Sequence, residues 1–183
     1  MGYFPRRNLR HNQQIRLPEG PLNGQGLGEL AKMKYGCSTV SYSGCEVIAV
    51  YNAQLVVRGD ADFCETARFM ERFCVMFGFW GSCFLTLGIC LRHFGLRARG
   101  IRSGRKLRDA LSAGKHCLFV YWTGKRFRSP VHTVLLSQEG ADQVCIYNLY
   151  NNCDHAVLCD REAFLQRRMI VGYIIDGIRE GSS

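Results

Sequence analysis

Acidic residues are missing where basic ones are dense. Of 24 lysines and arginines, 11 fall between Arg92 and Arg128, and Asp109 is the only acid in that segment. The segment holds +10 of formal charge and the rest of the chain −1, so the net +9 belongs to one stretch. Such a field excludes an acidic, solvating chain. It suits anionic partners such as acidic peptides, nucleic acid or phospholipid head groups, although a plain solvated face has the same composition. Proline is also scarce: Pro5, Pro18 and Pro21 lie in the first 28 residues, and only Pro130 lies beyond them. With five glycines in the same stretch, residues 1–28 read as a flexible or extended arm, and 29–183 as one domain. No internal repeat is present, which excludes a solenoid or propeller. Residues 1–16 are polar and arginine-rich without an apolar run, so no secretory signal is expected there.

Charge is absent once more between Arg72 and Arg92. The 19 residues 73–91 approach the length of a membrane span. Gly78, Gly81 and Gly88, with Ser82 and Thr86, argue for two helices instead. Gly78-Phe79-Trp80-Gly81 would be the turn and Ser82 the cap of the second helix. No stable span is expected. Seven of the ten cysteines (45, 64, 74, 83, 90, 117 and 145) sit inside apolar runs, where a thiol serves as a small hydrophobe. Reduced thiols and a cytoplasmic setting follow. Cys153, Asp154, His155 and Cys159 match no standard zinc spacing, and neither metal nor cofactor is expected.

What is present is a hydrophobic fraction of 47%, enough for one substantial core. Val47, Ile48, Val50, Tyr51 and Leu55 recur at helical spacing and predict a helix over 45–57. Ser43 and Glu46 would form its capping box, and Gly59 its stop. Further helices are expected from Asp60 or Asp62 to about Val75, from Ser82 to Phe94 and over 104–113. The period then changes. Strands are expected over 96–102, 116–122, 131–137, 143–150 and 169–175, with a short edge strand at Val157 and a short helix capped by Asp160. Helices first and a mostly antiparallel sheet second indicate an α+β fold, N-terminal helices packed on a C-terminal sheet.

Three positions carry chemistry. Cys45 opens a helix, where free amides and the helix dipole favour thiolate. His132 opens a strand, and Asn148 stands near the end of the next. Antiparallel pairing across the Glu139-Gly140 turn would bring Asn148 to the His132 end, its amide oxygen accepting from one ring nitrogen. A nucleophilic thiol needs a base, and the base needs an orienting group. Lys125, Arg126 and Arg128 precede His132 and are candidate contacts for substrate.

Gly44-Cys45-Glu46-Val47-Ile48-Ala49-Val50-Tyr51-Asn52-Ala53, Val131-His132-Thr133-Val134-Leu135-Leu136 and Val144-Cys145-Ile146-Tyr147-Asn148 are followed by a short helix and a last apolar strand. In this order, over about residues 37–176, they resemble the papain-like cysteine peptidases. Within that superfamily the pattern is closest to the bacterial leader-peptide-processing peptidases found with bacteriocin exporters. The resemblance implies a papain-like fold with Cys45 as nucleophile, His132 as general base and acid, and Asn148 as the orienting group. The family places a glutamine about six residues before the cysteine as oxyanion donor. Here Thr39 stands there, with Ser41 and Ser43 as further candidates, and Glu46 replaces the usual glycine. The expected activity is hydrolysis of a peptide or amide bond through an acyl-thioester, with a peptide or protein substrate of acidic character. The alternative is a catalytically silent papain-like domain that binds peptide or protein. Nucleic-acid binding rests on the basic segment alone and is not the expected role.

Overall fold

The computed structural model describes residues 3–124 and 130–179. In chain order the elements are α1 (Tyr3–Asn12), α2 (Gly28–Lys32), β1 (Lys34–Tyr35), β2 (Ser38–Thr39), α3 (Val40–Ser43), α4 (Cys45–Arg58), α5 (Phe63–Met70) and α6 (Leu87–His93). There follow β3 (Leu96–Ile101), α7 (Gly104–Ser112), β4 (His116–Trp122), β5 (Val131–Glu139), β6 (Gln143–Tyr147), β7 (Val157–Asp160), α8 (Arg161–Leu165) and β8 (Met169–Ile178). β1 and β2 form a small ladder. The other six strands make one sheet in the order β3-β8-β4-β5-β6-β7, every pairing antiparallel. The fold is α+β: among the described residues, six helices stand ahead of the six-stranded sheet, and α7 and α8 are inserted between its strands.

Strand alternation divides the sheet into two apolar faces. Leu118, Val120, Leu135 and Tyr173 join Val47, Ile48 and Val50 of α4 and Leu87 and Leu91 of α6 in one core. Phe119, Val134, Leu136 and Ile174 join Leu107 and Leu111 of α7 and Phe164 of α8 in the other. Because α4 is covered all round, every residue from Cys45 to Gln54 is buried. Its polar side chains are therefore satisfied inside. Asn52 accepts from the Leu22 amide (2.7 Å) and donates to the Leu22 carbonyl (2.8 Å), and Gln54 donates to Thr66 (2.9 Å).

Those Asn52 bonds fasten the segment read from the sequence as a flexible or extended arm. Leu22 is 1% exposed, residues 3–12 are helical, and Asn12 is tied to both backbone atoms of Lys34 (2.8 and 2.9 Å). Proline and glycine shape the path of this segment, while a few buried side chains hold it.

The uncharged stretch departs from two regular helices. α5 ends at Met70, and α6 begins only at Leu87, joined by three 3-10 turns over 71–73, 75–78 and 84–86. Ser82 is not a helix cap: its hydroxyl bonds the Tyr35 hydroxyl and donates to the Met70 carbonyl (3.4 Å). Among the described residues, no helix is long and apolar enough to cross a membrane.

Candidate functional site

Cys45 opens α4, but the Ser43–Glu46 capping box does not form. α3 runs into α4 through Gly44, where a Cβ would lie 2.6 Å from the Val40 carbonyl oxygen, so only glycine fits. Ser43 turns its hydroxyl back to the Thr39 carbonyl (3.4 Å). Glu46, freed from capping, points its carboxyl at the neighbouring sulfur, and the Cys45 thiol donates to Glu46 Oε2 at 3.2 Å. The Ser82 backbone pulls the pKa of the same carboxyl partly down. Gly81 packs close by, where a Cβ would lie 2.8 Å from Oε2.

His132 is the second residue of β5. β5 pairs with β6 only from Leu135 onward, so on that side its first residues are open. There the Thr133 backbone lies close enough to the Cys45 sulfur to pull its raised pKa partly back down. The His132 ring lies on the face it shares with its cross-strand partner Tyr121, edge to face at 6.0 Å. Its Nε2 is 2.7 Å from the Asn148 carbonyl. A carbonyl only accepts, so Nε2 carries the proton and Nδ1 keeps the lone pair.

This orients the imidazole by a different atom from the one expected. The Asn148 side chain does not hold His132. It accepts from the Gln25 amide (3.2 Å) and donates to Gln25 Oε1 (3.3 Å), while the Asn148 amide donates to Asn23 Oδ1 (2.7 Å). Asn148 has φ +59°, a left-handed conformation that asparagine tolerates better than most residues. β6 ends at Tyr147, and this turn swings the next carbonyl onto the ring.

Burial sets the electrostatics. The Cys45 thiol is pushed well above its usual range, first by desolvation and then by the Glu46 charge and hydrogen bond. Glu46 is itself raised to about 7 by burial. Burial lowers His132, so the ring is neutral at pH 7, against a partial upward pull from the Asn148 carbonyl. Tyr121 is raised to about 12 by burial, with Arg167 opposing the rise and the charge of Cys45 adding to it.

Of the sequence-derived candidates, His132 and Asn148 meet through the ring Nε2 and the Asn148 carbonyl, whereas the Cys45 thiol bonds Glu46. Ser43 is committed to Thr39, and the Ser41 carbonyl accepts from Gln25 Nε2 (3.1 Å). Lys125, Arg126 and Arg128 lie outside the described residues. Gln25 and Tyr121 belong to the site and were not anticipated. Gln25 carries no periodic or motif signal, and it joins the site only because the segment around it docks on α4 and Asn148. Among the described residues, no group of three or more histidines, cysteines or acids is arranged to hold a metal; Cys153, Asp154 and His155 bond one another at the surface.

About three quarters of the chain is similar in backbone to two solved peptidase structures. One is a double-glycine motif protease from an AMS/PCAT transporter in complex with the leader peptide, with 17% identity and TM-score 0.51 over 73% of this chain and 84% of that chain. The other is the peptidase domain of Streptococcus ComA, a bifunctional ABC transporter involved in a quorum-sensing pathway, with 13% identity and TM-score 0.54 over 74% and 91%. The chain has a papain-like cysteine-peptidase fold. No family model matches it, and no curated protein matches it.

Proposed function

We propose that the protein is a cysteine hydrolase of peptidase or amidase type, with Cys45 as nucleophile, His132 as base and Asn148 as the group that orients it. The observation that carries this reading is an imidazole at the open start of β5, fixed through Nε2 by the Asn148 carbonyl, on the strand that packs against the helix Cys45 opens. His132 Nδ1 takes the thiol proton as the sulfur attacks the substrate carbonyl. The amine leaves with that proton, and an acyl-thioester remains on Cys45. Water, deprotonated by the same nitrogen, then releases the acid and restores the thiol. The Cys45 amide at the start of α4 is the oxyanion donor of this scheme, in place of Thr39, Ser41 and Ser43. The substrate is a peptide, by analogy with the leader peptide bound to the AMS/PCAT protease.

One observation favours a second reading, a silent peptide-binding domain. Glu46 places a carboxyl on the thiol and raises its pKa, which opposes thiolate formation. Incubation with a complex peptide pool, followed by mass spectrometry of new termini, separates the two. Hydrolysis predicts cleavage by the wild type and a loss of about a thousandfold or more in Cys45→Ala and His132→Ala. Equal peptide capture by wild type and Cys45→Ala with no new termini would select the silent domain.

A further inference from the structure

We propose that the face built from residues 75–92 and the open side of β3 and β8 docks on an anionic phospholipid bilayer. Met76, Phe77, Phe79 and Trp80 are 60, 74, 54 and 74% exposed, too large and contiguous a group to be scattered surface apolars. The backbone holds them outward. Met76 (φ +48°) and Phe77 (φ +58°) are consecutive left-handed residues without being glycine. The tip is braced from below: the Cys37 amide donates to the Phe77 carbonyl (2.8 Å), the Val75 amide to the Gly81 carbonyl (2.9 Å), and Cys74 bridges to Ser82. A Cβ on Gly36 would come within 2.4 Å of the Phe77 carbonyl oxygen, so the loop is seated on a glycine.

The ridge continues through exposed Leu85 and Ile89, and Arg92 follows Ile89 by three residues on α6. Arg92 also lines an open cavity of about 560 Å³ with Arg97, Arg99, Lys115 and Arg179, in which Asp176 is the acid. Asp176 is already engaged by Arg99 (3.1 Å) and Lys115. From Arg72 to Arg108 the chain carries eight basic residues and no acid. An apolar ridge thus merges into a cationic wall. Nucleic acid would use the cations and leave the ridge in water; an apolar protein surface would leave the cations unmatched. A bilayer with anionic head groups takes both, aromatic side chains at the interface and arginines at the phosphates.

Flotation of the full chain with vesicles tests this, comparing phosphatidylcholine alone with equal parts phosphatidylcholine and phosphatidylglycerol. The anionic vesicles are expected to bind at least about tenfold more protein, and added salt should weaken the binding. The exposed double variants Phe77→Ser/Trp80→Ser and Arg97→Gln/Arg99→Gln should each lower binding about tenfold. In a Trp122→Phe background, Trp80 emission should shift to the blue on addition of anionic vesicles. Equal partition between the two vesicles would overturn the proposal. So would binding that responds to the arginine variant but not to the aromatic one, with no shift in Trp80 emission, since that pattern belongs to a polyanion such as nucleic acid.

Discussion

At the thiol end of the sheet, Glu46 sits 5% exposed between the Cys45 thiol and the Ser82 backbone, and burial carries its carboxyl up to about 7. At the β3–β8 side of the sheet, half-buried Asp176 lies against Lys115 and Arg99, and their hydrogen bonds and charges hold it below the usual carboxylate range. The two acids differ little in chemistry. What separates them is whether charge is lost to burial or matched by a cation. The thiol end keeps a proton near its nucleophile, whereas the basic edge gathers five cations around one acid.

The largest effects are expected at the proposed catalytic pair, where Cys45→Ala and His132→Ala should remove turnover by about a thousandfold or more while the fold persists. Stability should next register Glu46. Its folded pKa is raised, so its contribution is fully present below the unfolded value of 4.5 and is lost as pH rises through about 7. The wild type should therefore lose about 3 kcal/mol between those limits, and Glu46→Gln should abolish that fall and be the more stable protein at pH 8. Urea denaturation at several pH values measures this, and parallel curves for the two proteins would remove Glu46 from the comparison.

Asn148 gives a smaller effect. Because its main-chain carbonyl holds His132 from a left-handed position, Asn148→Gly should keep turnover within a few fold, and Asn148→Ala should cost about 1 kcal/mol more in stability. Equal loss of turnover in both would return the orienting role to the side chain. The smallest effect belongs to Asp176, whose pKa is depressed. Its contribution is present above the unfolded value and lost as pH falls through the folded one. Asp176→Asn should cost at most about 1 kcal/mol at pH 7, less in high salt, and nothing in strong acid.

The sheet was legible because alternation and turn residues mark strands in a chain that pairs mostly with its neighbours: 116–122 was read to the residue, and α4 to within one. The Cys45 and His132 positions were legible for the same reason, each opening a strongly patterned element. Glu46 was visible as a charge in an apolar helix but looked like a cap, since local pattern cannot tell a solvated carboxyl from one covered by Gly81 and Ser82. Gln25 and the packing of residues 3–26 were not legible. They depend on side-chain bonds to Asn52 and Asn148 across up to 125 positions, which leave no periodicity. The 73–91 stretch misled because uncharged composition is shared by helices and by a braced loop whose aromatics face outward.

The most direct test of the thiol site is the rate of iodoacetamide alkylation of Cys45 against pH, read by peptide mass spectrometry in the wild type, Glu46→Gln and His132→Ala. A carboxyl that holds the thiol in its protonated form predicts at least about a tenfold faster reaction for Glu46→Gln near neutral pH, and a slower one without the imidazole. Identical pH profiles in all three proteins would contradict the pairing of this sulfur with either neighbour.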